Sequence, residues 1–451
     1  MNILKMIKEH NEKEKVSFHM PGHKKGKGFM KPQIKSGLWG LDTTELSDTD
    51  CLEKPVDGIK RAEEKAAKAY GAEHSFFLVN GATSGILSMF KAAFKDGDKV
   101  IVSRDCHKSV INAMEFSGVR PVFLNPLIHE KGFSGGVSVE SARKAIEKHS
   151  DAKGVFLTSP TYFGIVSDIE AIAKVAHENG MLLLCDEAHG AHFPFSECFP
   201  ESAVSLGADM SVVSLHKSMP CPNQTAILNL GKCSVSAEDM KAAVNMFQTT
   251  SPSYIFLSMI EQAIDIGKTK GEELTERFMR NVVKNEHIYS FNDPFKLILD
   301  FSSKGYTGYE VSSIFEKKFG IYAEMAIEAC VLLMASWSND KKDFVILKKA
   351  IEYVDSLPCK KPIDSKVMIC SENALAMTPR EVFNAAKEKV PLNMSVGRIA
   401  AKEVTIFPPC IPVFMPGEVI KKEHIEKIEN AMDLSLVTTG TEDGLISVIK
   451  K

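Results

Sequence analysis

The sequence lacks the features that would link this chain to a membrane, to a structural metal or to nucleic acid. Its longest apolar runs, such as MLLLC at 181–185, are far shorter than the roughly 20 residues of a membrane-spanning helix. Its ten cysteines form no C-x-x-C pair, which argues against a structural zinc site and a disulfide framework. A formal net charge of -3 gives no electrostatic reason to expect nucleic acid or an anionic membrane as a partner.

Targeting and repeat signals are also missing. The N-terminal stretch MNILKMIKEHNEKEK alternates apolar and charged residues at helical spacing and has no signal-peptide core. We find no internal repeat and no low-complexity tract. The 451 residues, 44% hydrophobic and 25% charged, predict a globular cytoplasmic protein of two or three domains.

Short apolar strands alternate with helical patterns from about residue 60 to 230, which is typical of a mostly parallel sheet. The predicted strands lie at 75–79, 99–103, 120–125, 154–159, 181–186, 210–215 and 226–230. The predicted helices lie at 58–71, 107–118 and 168–180, the last with a glycine C-cap. Further on, the patterns predict strands at 295–301 and 330–337 and a helix at 343–354.

Two of the predicted strands are followed by residues that suit a cofactor site, and ligands of parallel sheets bind outside the carboxyl ends of the strands. NGATSG follows 75–79, and the hydroxyls of Thr83 and Ser84 with N–H groups at a helix start suit a phosphate. A simple N-cap turn is the alternative. RDCHKS places His107 at a second helix start, where a capping or packing histidine is the commoner case.

Asp186 ends a third strand, and a buried carboxylate there needs a cationic or hydrogen-bonding partner. The sequence that follows it is EAHGAH. The spacing of His189 and His192 leaves open a metal site that includes Asp186. We expect no metal, because no further ligand cluster is evident and HGAH lies in a loop.

Lys217 follows the strand at 210–215, in the stretch SLHKSMP. A lysine and an aspartate at neighbouring strand ends fit pyridoxal phosphate chemistry. The lysine forms a Schiff base, and the carboxylate pairs with the pyridine nitrogen. A desolvated lysine is also the form whose amine becomes nucleophilic near neutral pH.

Eight motifs occur in a fixed order between about residues 17 and 420: HMPGHKKG, TELSDTD, FFLVNGATSG, RDCHKS, TSPTYFG, DEAHGAH, SLHKSMP and FPPCIPVFMPGE. Together they resemble the bacterial ornithine/lysine/arginine decarboxylases, in a short form without a receiver-like wing domain or a long C-terminal extension. Pro222, Cys410 and the looser TELSDTD segment depart from the family pattern and mark places where specificity can differ.

The resemblance implies an α/β fold of the aspartate aminotransferase-like type (fold type I), with a mostly parallel seven-stranded sheet and smaller C-terminal α/β domains. It divides the chain into an N-terminal segment, a pyridoxal phosphate-binding domain, a small α/β domain and a C-terminal decarboxylase-family domain: 1–57, 58–270, 271–360 and 361–451. It also implies a cytoplasmic homodimer or higher homo-oligomer with the active site at the subunit interface.

The resemblance assigns a role to each candidate site residue. Lys217 would form the Schiff base, Asp186 would pair with the pyridine nitrogen, and His107 would stack on the ring. His189 would lie near the ring hydroxyl. The phosphate would be held by Ala82, Thr83, Ser84, Ser214 and His216. Lys217 or His216 would return the proton to the α-carbon.

The implied reaction is decarboxylation of arginine, lysine or ornithine to an amine of the polyamine pathway. Acidic residues would read the substrate side chain, with candidates at Glu45, Asp48, Asp50, Glu403 and Glu418. One alternative is an aminotransferase, lyase or desulfurase on the same fold, for which Arg398 is a conceivable carboxylate clamp. The other is a catalytically silent binding protein, against which the intact Lys217 and Asp186 argue.

Overall fold

A seven-stranded sheet organises the first half of the chain. The structure is a computed structural model, and it describes residues 12, 14–18, 22, 45, 50–363, 373, 375–407, 411–433 and 437–450. The first eight strands, in chain order, are β1 (Val16–Phe18), β2 (His74–Leu78), β3 (Lys99–Ser103), β4 (Arg120–Leu124), β5 (Gly154–Thr158), β6 (Leu182–Asp186), β7 (Met210–Ser214) and β8 (Ala226–Leu230).

The large sheet contains β2 to β8 in the order β2-β8-β7-β6-β5-β3-β4. Strand β8 runs antiparallel to both of its neighbours, while the other pairings are parallel. All seven predicted strands are therefore confirmed, each within a residue or two of its predicted ends. The apolar runs predict them well because both faces of this sheet are buried.

Helices cover both faces of the large sheet. In chain order they are α1 (Gly58–Tyr70), α2 (Gly81–Ala93), α3 (Lys108–Ser117), α4 (Val139–Lys148), α5 (Ile169–Glu178), the short α6 (Leu215–Ser218), α7 (Ala237–Phe247) and α8 (Tyr254–Asn281). The side chains of α2, α3 and α7 pack on one face, and those of α1, α4, α5 and α8 pack on the other. Alternate residues of each strand supply the two faces.

The glycine predicted to end α5 does so in left-handed backbone geometry. Gly180 has φ of 68°, and its N–H donates to the carbonyl of His177 at 3.0 Å. The N–H of Met181 donates to the carbonyl of Ala176, also at 3.0 Å. These two bonds form a Schellman motif, which turns the chain directly into β6 and its terminal Asp186.

The second half of the chain forms three smaller sheets and supplies a strand that pairs with the N-terminal strand β1. Its strands are β9 (Ile288–Tyr289), β10 (Lys296–Leu299), β11 (Ile321–Ala323), β12 (Met325–Ala326), β13 (Val331–Met334), β14 (Lys387–Pro391), β15 (Val404–Phe407), β16 (Ile411–Phe414), β17 (Val437–Thr439), β18 (Thr441–Glu442) and β19 (Leu445–Ile449). Its helices are α9 (Gly308–Ile314), α10 (Lys341–Asp355), α11 (Pro379–Asn384) and α12 (Lys422–Asp433).

The strands of the second half pair with one another, with one exception. Sheets form in the orders β12-β13-β10-β9, β14-β19-β18 and β16-β15-β17, whereas β1 pairs in parallel with β11. The sequence predicted β10, β13 and α10, but it did not predict the short strands of the last two sheets. Among the described residues, none of the helices combines the length and apolar character needed to cross a bilayer.

Candidate active site

A cavity of about 600 Å³ lies at the carboxyl edge of the large sheet, within the roughly 300–1,000 Å³ of small-molecule sites. The ends of β2, β6 and β7 and the starts of α2, α3 and α6 converge there. Eight of the nine predicted site residues line it: Ala82, Thr83, His107, Asp186, His189, Ser214, His216 and Lys217.

The ninth predicted residue, Ser84, turns its hydroxyl away from the cavity. The side chain is buried and donates a hydrogen bond to the carbonyl of Gly81 at 2.8 Å. The sequence predicted a helix start near Ser84, and α2 begins at Gly81. Ser84 therefore lies in the first helical turn with its side chain satisfied by the helix itself.

The start of α2 forms the phosphate-compatible end of the cavity. The side chain of its N-cap residue, Asn80, makes no capping hydrogen bond and accepts one from the Thr249 N–H at 3.4 Å. The positive end of a 13-residue helix therefore faces the cavity beside Ala82 and Thr83. An anion is stabilised in this position by the helix dipole and the first-turn N–H groups.

Asp186 supplies the carboxylate at the end of β6. The residue is 4% exposed, and its Oδ1 accepts a hydrogen bond from the Ala188 N–H at 3.1 Å. A second carboxyl, Asp105, also lines the cavity and is hydrogen-bonded by Ser103 and Ser134. Burial raises the pKa of Asp105, and the nearby charge of Asp186 raises it further. Asp105 was not predicted from the sequence.

Lys217 lies in the short helix α6, immediately after β7. Its Nζ is 3.1 Å from Nε2 of His189. Burial lowers the pKa of Lys217, although the carboxylates of Asp186 and Glu324 oppose that effect. The pKa of Lys217 is therefore lower than that of an exposed lysine. A larger fraction of its amine is neutral and nucleophilic at neutral pH.

His189 connects Lys217 to a second lysine that the sequence analysis missed. The Nζ of Lys296, the first residue of β10, lies 2.9 Å from Nδ1 of His189. Burial, and then the charges of Lys217 and Lys296, hold the pKa of His189 well below its ordinary value. The signal in the sequence is a lysine within the otherwise apolar run FKLIL.

Tyr162 and Glu324 complete this side of the site and were also missed. The ring of Tyr162 meets the His189 ring edge-on, with centroids 4.7 Å apart. Its hydroxyl donates to Oε1 of Glu324. Tyr162 falls within the motif TSPTYFG, but its partner is 162 positions away in the chain, and periodicity gives no information on such a pairing.

His107 is the N-cap of α3, as the sequence predicted. Its Nδ1 accepts from the Ser109 N–H at 3.2 Å and lies 2.7 Å from the Ser109 hydroxyl oxygen. Burial lowers the pKa of His107, as does the charge of Lys217, while Asp186 opposes both. The ring is thus a neutral aromatic surface at the cavity wall.

His192 does not join Asp186 and His189 in a metal site. Its Nε2 lies 3.0 Å from Oδ1 of Asp293, and its ring stacks on Phe295 with centroids 4.5 Å apart. Within the described residues, no group of three or more His, Cys, Asp and Glu side chains is arranged to hold a metal ion.

Two further side-chain hypotheses are wrong. Arg398 donates to Glu388 and to the carbonyl of Ile449 and is not among the residues that line the cavity, so it cannot clamp a substrate carboxylate there. Glu418 is 1% exposed and is held by a two-point salt bridge to Arg104, at 2.7 and 2.6 Å. The charge of Glu418 is therefore neutralised by Arg104, so Glu418 does not recognise the substrate side chain.

The remaining candidates for recognising the substrate side chain differ in whether they line the cavity. Asp50 accepts hydrogen bonds from the N–H groups of four nearby residues: Cys51, Val56, Asp57 and Ile59. Burial alone would raise the pKa of Asp50, but these bonds lower it to about 2. Glu403 lines the cavity, and Glu45 does not. Asp48 and the Cys410 departure lie outside the described residues.

The site fits pyridoxal phosphate by its donor set. A desolvated lysine, a strand-end carboxylate, a neutral aromatic ring and a helix N-terminus border one cavity. These are the groups that the aldehyde, the pyridine nitrogen, the ring face and the phosphate of this cofactor require.

Comparison with family models gives two matches. Residues 2–289 match the model "Orn/Lys/Arg decarboxylase, major domain". Residues 364–432 match "Orn/Lys/Arg decarboxylase, C-terminal domain".

Among curated proteins, the chain is 34% identical to an arginine decarboxylase of Bacillus subtilis over 472 residues, covering 98% of this chain and 96% of the relative. It is also 34% identical to an arginine decarboxylase of Bacillus anthracis, covering 98% of this chain and 95% of the relative. Identity to an inducible lysine decarboxylase of Escherichia coli is 22%, covering 92% of this chain and 74% of the relative.

Among solved structures, the fold is similar to two lysine decarboxylases. That of Escherichia coli (constitutive form) has a TM-score of 0.75 at 18% identity and covers 99% of this chain and 81% of its own. That of Francisella novicida has the same TM-score and identity and covers 89% and 73%. An L-threonine transaldolase of Pseudomonas fluorescens has a TM-score of 0.58 at 14% identity, over 79% of this chain and 86% of its own.

Proposed function

This chain belongs to the Orn/Lys/Arg decarboxylase family, and from that premise we propose that its substrate is arginine. It is an enzyme that depends on pyridoxal phosphate and removes carbon dioxide from a basic amino acid. The observation in favour of arginine is the 34% identity to arginine decarboxylases along nearly the whole chain, against 22% to a lysine decarboxylase.

The cofactor would be held at both ends of the cavity. Lys217 would bind it covalently, and Asp186 would pair with its pyridine nitrogen. Its phosphate would lie at the start of α2, beside Thr83 and His216. When bound, the cofactor supplies an electron sink for the pair left on the α-carbon as carbon dioxide departs.

The side chains around the cofactor would orient and stabilise it. The charge of Asp186, buried at the end of β6, would keep a proton on the pyridine nitrogen. The His107 ring would lie against the cofactor ring, and the low pKa of His107 would avoid repulsion with the pyridinium. His189 would lie near the ring hydroxyl.

A proton must then be delivered to the α-carbon. Lys217 and His216 both line the cavity and are the candidates for this step. Lys217 is favoured because its amine is already close to a hydrogen-bond partner, His189, at 3.1 Å. General acids of this kind work best when their pKa is close to the working pH, and burial moves the pKa of Lys217 in that direction.

The substrate guanidinium would be recognised by Glu403. This residue is half-buried and lines the cavity beside Thr405 and Pro412. A carboxylate can accept two parallel hydrogen bonds from a guanidinium, whereas a lysine or ornithine ammonium offers no such fork.

A substrate panel tests this assignment. Carbon dioxide release should be fastest, by kcat/KM, with arginine rather than with lysine or ornithine. The variant Glu403→Gln should raise KM for arginine about tenfold or more. Glu442 is exposed, lies near Glu403 and does not line the cavity, so Glu442→Gln should leave KM unchanged. A preference of the parent enzyme for lysine or ornithine would refute the substrate assignment, and formation of a keto acid in place of carbon dioxide would contradict the reaction.

We also propose that the chain works as a cytoplasmic homodimer with the active site at the subunit interface, and that it is divided at 57, 270 and 360 into the four parts expected from the family resemblance. Sedimentation equilibrium should give a mass of twice 49.7 kDa or a larger multiple. A monomeric, fully active enzyme would exclude a shared active site.

A further inference from the structure

Lys296 is a buried lysine behind the wall of the cavity. It is 1% exposed and is not among the residues that line the cavity. Its Nζ lies 2.9 Å from Nδ1 of His189, while the Nζ of Lys217 lies 3.1 Å from Nε2 of the same ring. One imidazole therefore bridges two amines, of which only Lys217 reaches the cavity.

Hydrogen-bond counting limits how many protons this bridge can hold. A neutral imidazole has one N–H donor and one nitrogen acceptor. The charged imidazolium is disfavoured here, because burial and the two lysines lower the pKa of His189. With a neutral ring, the lysine that faces the ring N–H must accept and is therefore a neutral amine, while the other lysine donates to the unprotonated ring nitrogen. The bridge thus holds at most one positive charge, on the donating lysine, and that charge can lie at either end.

We propose that Lys296 stores the proton that Lys217 must give up and returns it through His189. In one state the Lys296 ammonium donates to Nδ1, and the N–H on Nε2 donates to the neutral amine of Lys217. A proton then moves from Lys296 Nζ to Nδ1 while the Nε2 proton moves to Lys217 Nζ. Lys217 becomes the ammonium, Lys296 becomes neutral, and the ring changes tautomer. The number of protons and the total charge are unchanged.

Carboxylates near each end of the bridge favour a charge on the lysine at that end. Asp186 and Glu324 favour a charge on Lys217, whereas Asp293 and Glu324 favour a charge on Lys296. His107 and His216 also act on the pKa of His189, and the titratable ring of Tyr162 lies against it. Burial lowers the pKa of Lys296 to about 8, and the charge of Lys217 acts in the same direction. Lys296 can therefore release its proton near neutral pH.

Asp293 is a fixed counter-charge for the ammonium of Lys296. It is fully buried, and its Oδ1 accepts from the Phe295 N–H at 3.0 Å and contacts Nε2 of His192 at 3.0 Å. Although burial would raise the pKa of Asp293, His192 and Lys296 lower it. A carboxylate that stays ionised beside Lys296 makes a buried ammonium tolerable there.

The inference rests on the proposed role of Lys217 as the lysine that holds the cofactor, but not on the identity of the substrate. A lysine in that role must be neutral to attack and needs a proton at other steps of the cycle. Lys296 is a positioning and proton-storing residue in this scheme, because it acts only through His189.

The test measures how fast Lys217 of the apo-protein captures pyridoxal phosphate as pH is varied. The product is reduced with borohydride, and the labelled Lys217 peptide is quantified by mass spectrometry. In Lys296→Met, loss of the stored charge should raise the pH midpoint of capture, with about tenfold slower capture at neutral pH for each unit of the rise. Lys296→Arg keeps a cationic donor to Nδ1 that cannot release its proton. It should capture the cofactor at the parent's midpoint but turn over at least about tenfold more slowly.

Controls separate this role from a structural one. Lys241 is a second poorly exposed lysine with a carboxylate neighbour, Glu63, at 4.0 Å, and Lys241→Met should leave the midpoint unchanged. An unshifted midpoint in Lys296→Met would overturn the proposal. If that variant does not fold, as judged by circular dichroism, full turnover in Lys296→Arg would overturn it instead. Absence of label on Lys217 in the parent protein would count against the proposed function, not against the relay.

Discussion

At the scale of single residues, the site depends on charges that are buried but balanced. Asp186 stabilises positive charge on Lys217 and on His107, while burial acts in the opposite direction on both. A substitution that keeps the shape of one group but removes its charge should therefore disturb chemistry more than folding.

Asp186→Asn is the most direct substitution of this kind. It keeps an acceptor for the Ala188 N–H but removes the charge proposed to hold a proton on the cofactor. The rate constant kcat for decarboxylation should fall by about a hundredfold or more. Asp209→Asn is the matched control, because Asp209 is equally buried but bonds the Leu183 N–H at the opposite end of the sheet. Equal losses in the two variants would show that the effect is structural.

Glu187 gives a pH-dependent prediction about stability. Burial raises its pKa to about 8, although hydrogen bonds from Ala203 and Ser211 oppose this. The folded state binds the proton more tightly than the unfolded chain does. This contribution is complete below the ordinary value of 4.5 and is lost as pH rises towards 8.

The variant Glu187→Gln removes that titration. Its melting temperature relative to the parent should rise by a few degrees between pH 4.5 and pH 8. Thermal melts of the two apo-proteins across this range measure the difference. A difference that stays constant with pH would contradict the assignment of a protonated Glu187.

At the scale of elements, the proposed phosphate end of the cavity depends on how closely α2 approaches the sheet. A Cβ atom at Gly85 would lie 2.6 Å from Cγ2 of Val212 and 2.7 Å from Cδ1 of Leu78. Gly85→Ala should thus push α2 away from β7, at a cost of about 1–3 kcal/mol. Because the start of α2 faces the cavity, affinity for pyridoxal phosphate should fall as well.

The control for this prediction is Gly58→Ala in α1, where nothing lies within 4 Å of the added Cβ. It should leave both the melting temperature and the cofactor affinity close to those of the parent. Unchanged cofactor binding in Gly85→Ala would mean that the position of α2 does not determine the phosphate site.

A buried ion pair joins the cavity edge to the C-terminal elements. Arg104 follows β3, and its guanidinium donates to Glu418 and to the carbonyls of Pro412 and Val413. Glu418→Gln would leave the buried Arg104 charge without its counter-charge. We expect a loss of about 3–5 kcal/mol in the free energy of unfolding, measured by urea denaturation. A loss below about 1 kcal/mol would indicate that the carbonyls alone satisfy Arg104.

At the scale of the whole molecule, the sequence predicts the large sheet better than it predicts the site. The seven strands are continuous apolar runs, so their burial on both faces of the sheet can be recognised from adjacent residues in the sequence. Eight of the nine predicted site residues line one cavity, because the strand ends of a parallel sheet converge. Lys296, Tyr162 and Glu324 were missed, since their contacts join elements more than a hundred positions apart.

The wrong predictions for Arg398 and Glu418 have the same physical cause as the missed residues. Arg398 and Glu418 were considered because their charges suit a substrate, but each is satisfied by an internal partner that local sequence does not reveal. Strands of the C-terminal sheets such as Lys387–Pro391 and Thr441–Glu442 were missed because they are largely exposed and form no apolar run that separates them from loops.

The central claim is that Lys217 is the lysine that holds pyridoxal phosphate opposite Asp186. Borohydride reduction of the loaded protein, followed by peptide mass spectrometry, tests it directly. We expect the cofactor mass on the peptide that contains Lys217, and we expect Lys217→Ala neither to acquire that mass nor to release carbon dioxide from arginine. Cofactor fixed to any other lysine, or an active Lys217→Ala enzyme, would contradict it.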